Sequence, residues 1–447
     1  MSGEQHASRP QDGAAATDTP DVGTTGSTRV SEVGAVLEQQ VGATAPVASG
    51  PVDEATRQRA VDALAVAPGE QHPRLDRITR LARLALDVPM AAVTVLDGDR
   101  AWFPSQQGLD TEWVPREETF CTVTTAEDAD LDVTDASLDD RFDALPAVAL
   151  GVRSYFGRPL RNGTGAPVAT FCVFDTRPRA LTEEQREVLE DLASWAEREL
   201  VASQEMQQAS RVQASLLPAR PVRVGSWDVD GLCLPALAVG GDFYDYEVHS
   251  GVLHVSLGDV MGKGTGAALL GAATRTALRG TSSAVAAGVD LGVTVTHVAR
   301  SLEADLDRAE SFVTLVEAAV DLAEGRVRYV DAGSGLVLLT RPGVAPRALS
   351  GEDRPLGVFP EDHWTEHEVL LAPGDRLLLF SDGVLDLLDD ATDWVAQVGA
   401  MVRDAADLPA FLTELARRAG SDAALDDITV VGVFRHLDEP TDAGAAP

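Results

Sequence analysis

The chain has 447 residues, more than one compact core usually holds, which suggests two or three folded units. Its composition, 45% hydrophobic and 24% charged, excludes a collagen, a coiled coil and a fully disordered chain, and no run approaches the roughly 18 apolar residues of a membrane span. The net charge of −35, from 36 Lys and Arg against 71 Asp and Glu, argues against a nucleic-acid or anionic-membrane partner.

The first residues and the cysteines indicate a compartment. The segment MSGEQHASRP lacks the basic start, apolar centre and cleavage site of a secretory signal. Three widely spaced cysteines, Cys121, Cys172 and Cys233, are typical of reduced thiols rather than of a disulfide framework. We therefore expect a cytoplasmic protein whose cysteines are packing residues.

Residues 1–52 are rich in Ala, Gly, Thr, Ser, Pro and Asp and contain no aromatic residue, which predicts a disordered tail. Residues 438–447 are interpreted as a second tail. We expect a front domain over residues 53–200. It should begin with a helix whose apolar face carries Leu75, Ile78, Leu81 and Ala85. Short strands should follow and form a compact antiparallel sheet flanked by helices. The predicted strands are Ala91–Asp97, Ala101–Pro104, Gly157–Leu160 and Pro167–Asp175.

A helical connector is predicted next, with a linker over residues 201–220. Thr182 and Gln185 have the spacing of a capping box, which marks the start of a helix. Apolar residues then recur every three or four positions as far as Pro218, with an interruption at Ser203–Glu205. Two interpretations stay open: amphipathic helices that pack on their own domains, or a connecting helix that forms a homodimer and carries a signal.

Residues 221–437 contain four acidic motifs at strand ends. The motifs place Asp242 in GGDFYD, Asp259 in LGDV, Asp382 in FSDG and Asp426 in DDITV. An apolar run adjoins the carboxylate in three of them, VLHVSLG, RLLLFS and ITVVGVF, and a single such Asp is usually only a turn or a cap. The conjunction favours one shared site, and carboxylates without His or Cys favour Mg²⁺ or Mn²⁺ over zinc.

The order and spacing of seven segments resemble a PPM-type (PP2C-like) serine phosphatase domain of the SpoIIE and RsbU kind, over about residues 212–435. The segments are QASLLP, VGGDFYD, SLGDVMGKGTGAALL, FVTLVEAAVD, DAGSG, APGDRLLLFSDG and DDITVVGVF. The resemblance implies an α-β-β-α sandwich that binds two Mn²⁺ or Mg²⁺ ions and hydrolyses phosphoserine or phosphothreonine through metal-bound water. By the same resemblance, the metal ligands and catalytic residues are Asp242, Asp259, Asp382 and Asp426, with the carbonyl of Val260 as a further ligand. The implied substrate is a phosphorylated anti-sigma factor antagonist of the STAS type.

Four residues near these motifs need separate interpretation. Lys263, the only lysine, lies four residues after Asp259 and is either a solvated loop cation or a group near phosphate or carboxylates. Ser334 stands where the family usually has His, which leaves the support of the site open. His363 and His367 form an i, i+4 pair without the Glu of a zinc protease motif, and we interpret them as surface structure.

The front domain resembles a GAF domain in LALDVPMAAVTVLD, ETFCTVT, ASLDDRFDALPAV, SYFGRPL and PVATFCVFDTRPRALTEEQ. The resemblance predicts the fold and leaves the ligand open, because GAF domains bind cyclic nucleotides, haem, bilins, small metabolites or nothing. Many relatives read FCAH where this chain has Thr122 and Val123 after Phe-Cys. The segment Asp139–Phe142 is interpreted as a structural turn with a salt bridge.

Together these features predict an α+β protein in which a GAF sensor domain and a helical connector regulate a metal-dependent protein serine/threonine phosphatase. The competing hypothesis is a catalytically silent binding module or scaffold. All four candidate aspartates are present, which argues against the second hypothesis.

Overall fold

The structure, a computed structural model, describes residues 53–64, 69, 71–349, 351–420 and 425–437. The two predicted tails, residues 1–52 and 438–447, lie outside the described residues. Within the described ranges, no helix has both the length and the apolar composition required to cross a membrane.

The front domain is built on a six-stranded antiparallel sheet with the strand order β3-β2-β1-β6-β5-β4. Side chains alternate between its two faces, so that Ala91, Val93 and Val95 of β1 enter one core and Ala92 and Leu96 enter the other. The predicted antiparallel sheet is confirmed. The strands are β1 (Met90–Asp97), β2 (Arg100–Gln107), β3 (Trp113–Pro115), β4 (Leu131–Val133), β5 (Ser154–Arg161) and β6 (Pro167–Asp175).

Helices cover both faces of this sheet. The buried face of α2 carries Leu75, Ile78 and Ala82, whereas Leu81 and Ala85 are exposed, so half of the predicted apolar face was wrong. This segment contains more apolar residues than the helix can bury. Periodicity alone does not determine which of two adjacent apolar residues faces the sheet. The helices of the domain are α1 (Glu54–Asp62), α2 (Pro73–Ala85), α3 (Phe120–Glu127) and α4 (Pro146–Ala149), with 3-10 turns at Arg116–Glu118 and Ala136–Leu138.

The connector is a single helix, α5 (Glu183–Leu216), which passes without a break through Ser203–Glu205. It begins with the predicted capping box, in which Thr182 and Gln185 each satisfy the backbone N–H of the other. Its first half packs in the core of the front domain through Leu189, Ala193, Ala196 and Leu200. Its second half is partly or fully exposed, so α5 belongs to the front domain and also extends beyond it.

Two antiparallel sheets form the centre of the C-terminal domain, with the strand orders β15-β12-β11-β10-β9 and β14-β13-β16-β17-β8-β7. Their facing surfaces share one apolar core. The strands of the first sheet are β9 (Phe243–His249), β10 (Val252–Val260), β11 (Val313–Asp321), β12 (Arg326–Ala332) and β15 (His367–Leu370). Those of the second are β7 (Val222–Val224), β8 (Trp227–Leu234), β13 (Val337–Thr340), β14 (Arg347–Ala348), β16 (Arg376–Phe380) and β17 (Ile428–Arg435).

Helices close the outer surface of each sheet. Separate apolar cores lie between the first sheet and its helices and between the second sheet and its helices. The layers therefore follow the order helix, sheet, sheet, helix, which confirms the predicted α-β-β-α sandwich and the α+β class. The first helical layer contains α6 (Thr265–Arg279), α7 (Ser282–Ala286) and α8 (Leu291–Arg308); the second contains α9 (Trp394–Asp404) and α10 (Leu408–Ala419), with 3-10 turns at Asp382–Leu387 and Ala391–Asp393.

Candidate functional site

Strand register brings the first two candidate aspartates together. Asp242 immediately precedes β9, and Asp259 is the penultimate residue of β10. These strands are antiparallel neighbours, and Phe243 pairs with Gly258. Both carboxylates therefore lie at the same end of the first sheet.

The second sheet repeats this arrangement. Asp382 follows the end of β16 and Asp426 precedes the start of β17, and the register pairs Phe380 with Val430. The two sheets meet at this end, because the Asp427 carboxylate beside β17 accepts a 2.7 Å hydrogen bond from the Gly241 backbone N–H beside β9. Four segments that are distant in sequence thus contribute carboxylates to one end of the sandwich.

The carboxylates repel one another. Burial raises the pKa of Asp242 well above its usual range, and the Asp259 charge raises it further. Burial and the Asp382 charge raise the pKa of Asp259 to about 6, and burial and the Asp426 charge raise that of Asp382. A cation bound between these carboxylates would neutralise their close negative charges and so remove the repulsion that raises their pKa values.

The residues present fit a hard divalent cation. The Oδ2 atom of Asp242 is buried and has no hydrogen-bond partner among the described residues, although an unpaired buried polar atom is costly. A Cβ atom at position 241 would lie 2.6 Å from the carbonyl oxygen of Val260, so only glycine allows this oxygen to come so close to the Asp242 backbone. Within the described residues, no three His, Cys, Asp or Glu side chains are already arranged to hold a metal. The oxygen donors nevertheless match the preference of Mg²⁺ and Mn²⁺.

Asp427, which the sequence analysis did not single out, anchors the loop that carries Asp242. Its carboxylate accepts backbone hydrogen bonds from Ala236 (2.8 Å), Gly241 (2.7 Å) and Asp242 (3.4 Å), and the residue is only 5% exposed. The neighbouring Asp426 side chain is 44% exposed. Asp426 therefore faces the site, whereas Asp427 holds the backbone. The sequence of two adjacent aspartates does not indicate which of them has which role.

Ser381 joins the two segments of the second sheet beside the site. Its hydroxyl accepts a 2.9 Å hydrogen bond from the Thr429 N–H and donates a 3.2 Å hydrogen bond to the Asp427 carbonyl. Gly383 packs against the same carbonyl, since a Cβ atom there would lie 2.1 Å from the Asp427 oxygen. These contacts restrain the loop on which Asp382 lies.

Lys263 points to the carboxylate cluster. Its Nζ lies 3.2 Å from Asp426 Oδ1 and also donates a hydrogen bond to the Leu425 carbonyl. The flanking residues Gly262 and Gly264 have φ of 106° and 81°, which a side chain would disfavour, so the tight loop depends on glycine. The compact ammonium thus sits beside a candidate metal ligand, where a planar guanidinium would need more space.

We expect Lys263→Arg to lower kcat/KM for phosphoester hydrolysis about fivefold, the scale of an exposed ion pair worth roughly 1 kcal/mol. The matched control is Arg308→Lys, because Arg308 is 75% exposed and pairs with Asp305 on α8. Steady-state kinetics should show no change in this control. Equal turnover of Lys263→Arg and the wild-type protein would assign Lys263 to the solvated loop.

Gln213, in the second half of α5, contacts the same loop. Its side-chain amide donates a 2.7 Å hydrogen bond to the Gly240 carbonyl and accepts a 3.1 Å hydrogen bond from the Gly240 N–H. Gly240 lies two residues before Asp242. The connector helix therefore has a direct, two-point contact with the backbone that positions a candidate ligand.

The remaining C-terminal candidates have structural contacts. Ser334 lies in a turn in which Asp331 accepts its backbone N–H at 2.9 Å. The His363 ring contacts the Glu361 carbonyl, whereas His367 is in β15 with its ring 5.4 Å from that of Tyr329. These positions are compatible with the interpretation of the two histidines as surface structure.

In the front domain, a cavity of about 480 Å³ opens against the sheet, with mostly apolar walls that include Phe103, Phe120 and Leu150. Asp139 and Arg141 form a 2.8 Å salt bridge in a turn, as the sequence predicts. Thr122 lies in the first turn of α3, where its hydroxyl donates a hydrogen bond to the Arg116 carbonyl.

Comparisons with known proteins agree with both resemblances. Residues 249–436 match the family model of stage II sporulation protein E (SpoIIE), and residues 70–200 match that of the GAF domain. A region that matches the GAF domain model therefore precedes a region that matches the SpoIIE model in this chain.

Individual relatives match only part of this chain, at low to moderate sequence identity. The cyclic di-GMP phosphodiesterase PA2567 of Pseudomonas aeruginosa is 34% identical over 146 residues, which cover 32% of this chain and 25% of that protein. The phosphoserine phosphatase RsbU of Bacillus subtilis is 25% identical over 184 residues, which cover 41% of this chain and 53% of that protein. The chain thus spans between a quarter and about half of the length of these relatives. The crystal structure of the RsbU and RsbW domains of Rv1364c from Mycobacterium tuberculosis is 23% identical, has a TM-score of 0.42, and covers 50% of this chain and 63% of that one.

Proposed function

We propose that this protein is a Mn²⁺- or Mg²⁺-dependent protein serine/threonine phosphatase whose activity is regulated by its GAF domain. The observation that carries the proposal is the meeting of Asp242, Asp259, Asp382 and Asp426 at one end of the sandwich, where burial and neighbouring carboxylates raise the pKa values of the first three. A SpoIIE-type family match over the same domain supports it.

In the proposed reaction, the four aspartates and the Val260 carbonyl would hold two divalent ions. When bound, such ions supply an activated water and neutralise the charge of the phosphoryl group. Asp427 and Gln213 keep the Asp242 loop in place through its backbone. Lys263 adds positive charge next to Asp426, which favours a phosphate group on an otherwise acidic surface.

The proposed substrate is a phosphorylated regulatory protein of the anti-sigma factor antagonist (STAS) type. Two exposed apolar side chains adjoin the carboxylates: Met261, two residues after Asp259, is 43% exposed, and Leu425, immediately before Asp426, is 77% exposed. Apolar surface beside a charged site suits a folded protein partner better than a small phosphoester. The relative RsbU, a phosphoserine phosphatase, is consistent with this class.

The proposal is tested by an assay of the full chain on p-nitrophenyl phosphate with Mn²⁺, Mg²⁺ or EDTA. We expect hydrolysis with either metal, none with EDTA, and none in Asp382→Asn. A folded protein that binds metal but hydrolyses neither this ester nor phosphoserine proteins would instead support the silent scaffold. If the wild-type protein does hydrolyse the ester, capture of phosphoproteins by Asp382→Asn would identify the substrate.

The proposed regulation acts through α5. This helix is rooted in the GAF core by Leu189 and Leu200 and reaches Gly240 through Gln213. A rotation or shift of the helix would therefore move the Asp242 loop. The cavity in the GAF domain supports a small-molecule ligand as the signal, and its walls are mostly apolar.

We expect Gln213→Leu to lower kcat/KM about tenfold and to raise the Mn²⁺ concentration needed for half-maximal activity, because the Gly240 backbone loses both of its partners. The control is Gln208→Leu, at an exposed position of the same helix. Ala202→Pro, at an exposed position in the middle of α5, should interrupt the helix and change activity, although the substituted side chain lies in neither core. Unchanged activity and metal dependence in both variants would contradict the coupling.

We further propose that the protein acts in the cytoplasm as a homodimer joined through α5. Two large apolar side chains, Trp195 and Met206, are 11 residues apart and therefore lie on one side of this helix. They are 43% and 38% exposed, and a second copy would cover them. Sedimentation analysis should show a dimer, and Met206→Glu should weaken it.

A further inference from the structure

Two cysteine thiols meet inside the GAF domain. Cys121 is the second residue of α3 and Cys172 lies in β6, and their Sγ atoms are 3.9 Å apart. Both are buried, with 2% and 0% exposure. A helix and a strand that are 51 residues apart along the chain therefore present their only cysteines to each other.

The surroundings of the pair are polar enough to orient the sulfur atoms. The hydroxyl of Tyr155 donates to Cys121 Sγ at 3.7 Å, and Thr94 Oγ1 lies 3.5 Å from Cys172 Sγ. Cys172 also contacts the Ala92 carbonyl at 3.4 Å. Purely apolar packing would not need these partners, so the pair is held in a defined geometry.

The two thiols differ in access and in acidity. Cys121 lines the cavity of about 480 Å³, whose walls also include Phe103 and Leu150, whereas Cys172 lies behind it against the sheet. The hydrogen bond with Cys172 lowers the pKa of Cys121, and burial raises the pKa of Cys172. A small neutral molecule in the cavity therefore reaches the more acidic thiol first, and the thiolate is the reactive form.

We propose that Cys121 and Cys172 are a peroxide-sensitive modification site that forms an intramolecular disulfide. The Cys121 thiolate attacks one oxygen of hydrogen peroxide, which gives a sulfenic acid and releases hydroxide. The Cys172 thiol then displaces the sulfenic hydroxyl as water and forms the S–S bond. In total, one peroxide oxidises two thiols to one disulfide and yields two waters.

The distances make this step feasible. A disulfide needs an S–S separation of about 2.05 Å, so the sulfur atoms must approach by a little under 2 Å. Rotation of the two side chains and a small shift of α3, a helix of eight residues, can supply this approach. The product ties α3 to β6 and so alters one wall of the cavity. This inference is independent of the proposed phosphatase activity.

The experiment treats the reduced full chain with a small excess of hydrogen peroxide and maps the cysteines by mass spectrometry of proteolytic peptides. We expect a Cys121–Cys172 cross-link with a loss of two hydrogen atoms, about 2 Da, that dithiothreitol reverses. In Cys172→Ser, Cys121 should accumulate as sulfenic acid, trapped by dimedone. Cys233→Ser is the matched control, because Cys233 is partly buried in β8, and should leave the cross-link unchanged.

Two results would overturn the proposal. One is a wild-type protein in which peroxide oxidises Cys233 while Cys121 and Cys172 both stay reduced. The other is a Cys121 that goes to sulfinic acid as readily in the wild-type protein as in Cys172→Ser, because Cys172 would then not resolve the intermediate. Mapping in the wild-type chain does not depend on how well any variant folds.

Discussion

Asp242→Asn is expected to abolish metal-dependent phosphoester hydrolysis, by at least about a thousandfold in kcat/KM, while it stabilises the metal-free protein. The loss follows because a ligand that helps to neutralise the phosphoryl charge supplies several kcal/mol. The gain follows because Asp242 is 2% exposed, its Oδ2 has no partner, and the neutral amide removes a buried charge. Activity and stability should therefore change in opposite directions.

The pH dependence of this stabilisation has a definite sign. The folded pKa of Asp242 is raised, so the cost of its charge is absent below the unfolded pKa of about 4 and grows as pH rises above it. The advantage of Asp242→Asn over the wild-type protein, both without metal, should thus be small near pH 4 and larger at pH 7. In the wild-type protein Asp259, whose pKa is raised to about 6 by burial and by the Asp382 charge, adds a cost of the same sign.

Differential scanning calorimetry of the two proteins in EDTA and in Mn²⁺ measures these effects. Mn²⁺ should raise the melting temperature of the wild-type C-terminal domain, since a ligand at a hundred times its Kd adds about 2.7 kcal/mol, and should raise that of Asp242→Asn less. Asp305→Asn, at an exposed position of α8, is the control and should behave as wild type. If Asp242→Asn were less stable than wild type in EDTA at pH 7, the role of Asp242 as a metal ligand held under charge repulsion would be wrong.

Substitutions of the adjacent residues Asp426 and Asp427 should distinguish a loss of catalysis from a loss of stability. Asp427→Ala is expected to destabilise the C-terminal domain by about 3 kcal/mol or more, because it leaves the backbone N–H groups of Ala236, Gly241 and Asp242 without their acceptor. Asp426→Ala should change stability by less than about 1 kcal/mol, since its side chain is 44% exposed and its partners are an exposed Lys263 and the Asp427 backbone N–H. Both variants should lose phosphatase activity, for different reasons.

Urea denaturation followed by intrinsic fluorescence gives the free energy of unfolding, and Mn²⁺ titration gives the second readout. Asp426→Ala should stay folded and lose metal-induced stabilisation. In Asp427→Ala, the midpoint of the unfolding transition of the C-terminal domain should fall at every Mn²⁺ concentration. Equal stability of the two variants would show that the hydrogen bonds to Asp427 do not hold the loop.

Much of the architecture could be predicted from local sequence. The run Pro167–Asp175 is a strand with the predicted bounds, and the capping box at Thr182 starts the connector helix. The resemblance to a PPM-type phosphatase domain also implied the sandwich, which the layers confirm. Strand runs, caps and motifs are short-range patterns, so they can be read without knowledge of what packs against them.

Other features depend on contacts between distant segments. Leu81 is exposed and Ala82 buried because α2 meets the sheet at one angle only, which the periodicity of the sequence does not determine. The apparent interruption at Ser203–Glu205 disappears because a long helix tolerates polar residues on its exposed side. The roles of Gln213 and Asp427 depend on a loop that lies 27 and 186 residues away along the chain.

The sequence by itself determined which side chains are available for the proposed chemistry: four acidic motifs at strand ends, which contain no histidine or cysteine, and a single lysine beside one of them. Only the tertiary structure decided which of the aspartates face the candidate metal site and which hold the backbone in place. Strand pairing brings Asp242 and Asp259 to one sheet edge, the second sheet adds Asp382 and Asp426, and burial assigns Asp427 to the backbone. Residue type is a local property, whereas burial, charge repulsion and hydrogen-bond partners arise only when distant segments pack together.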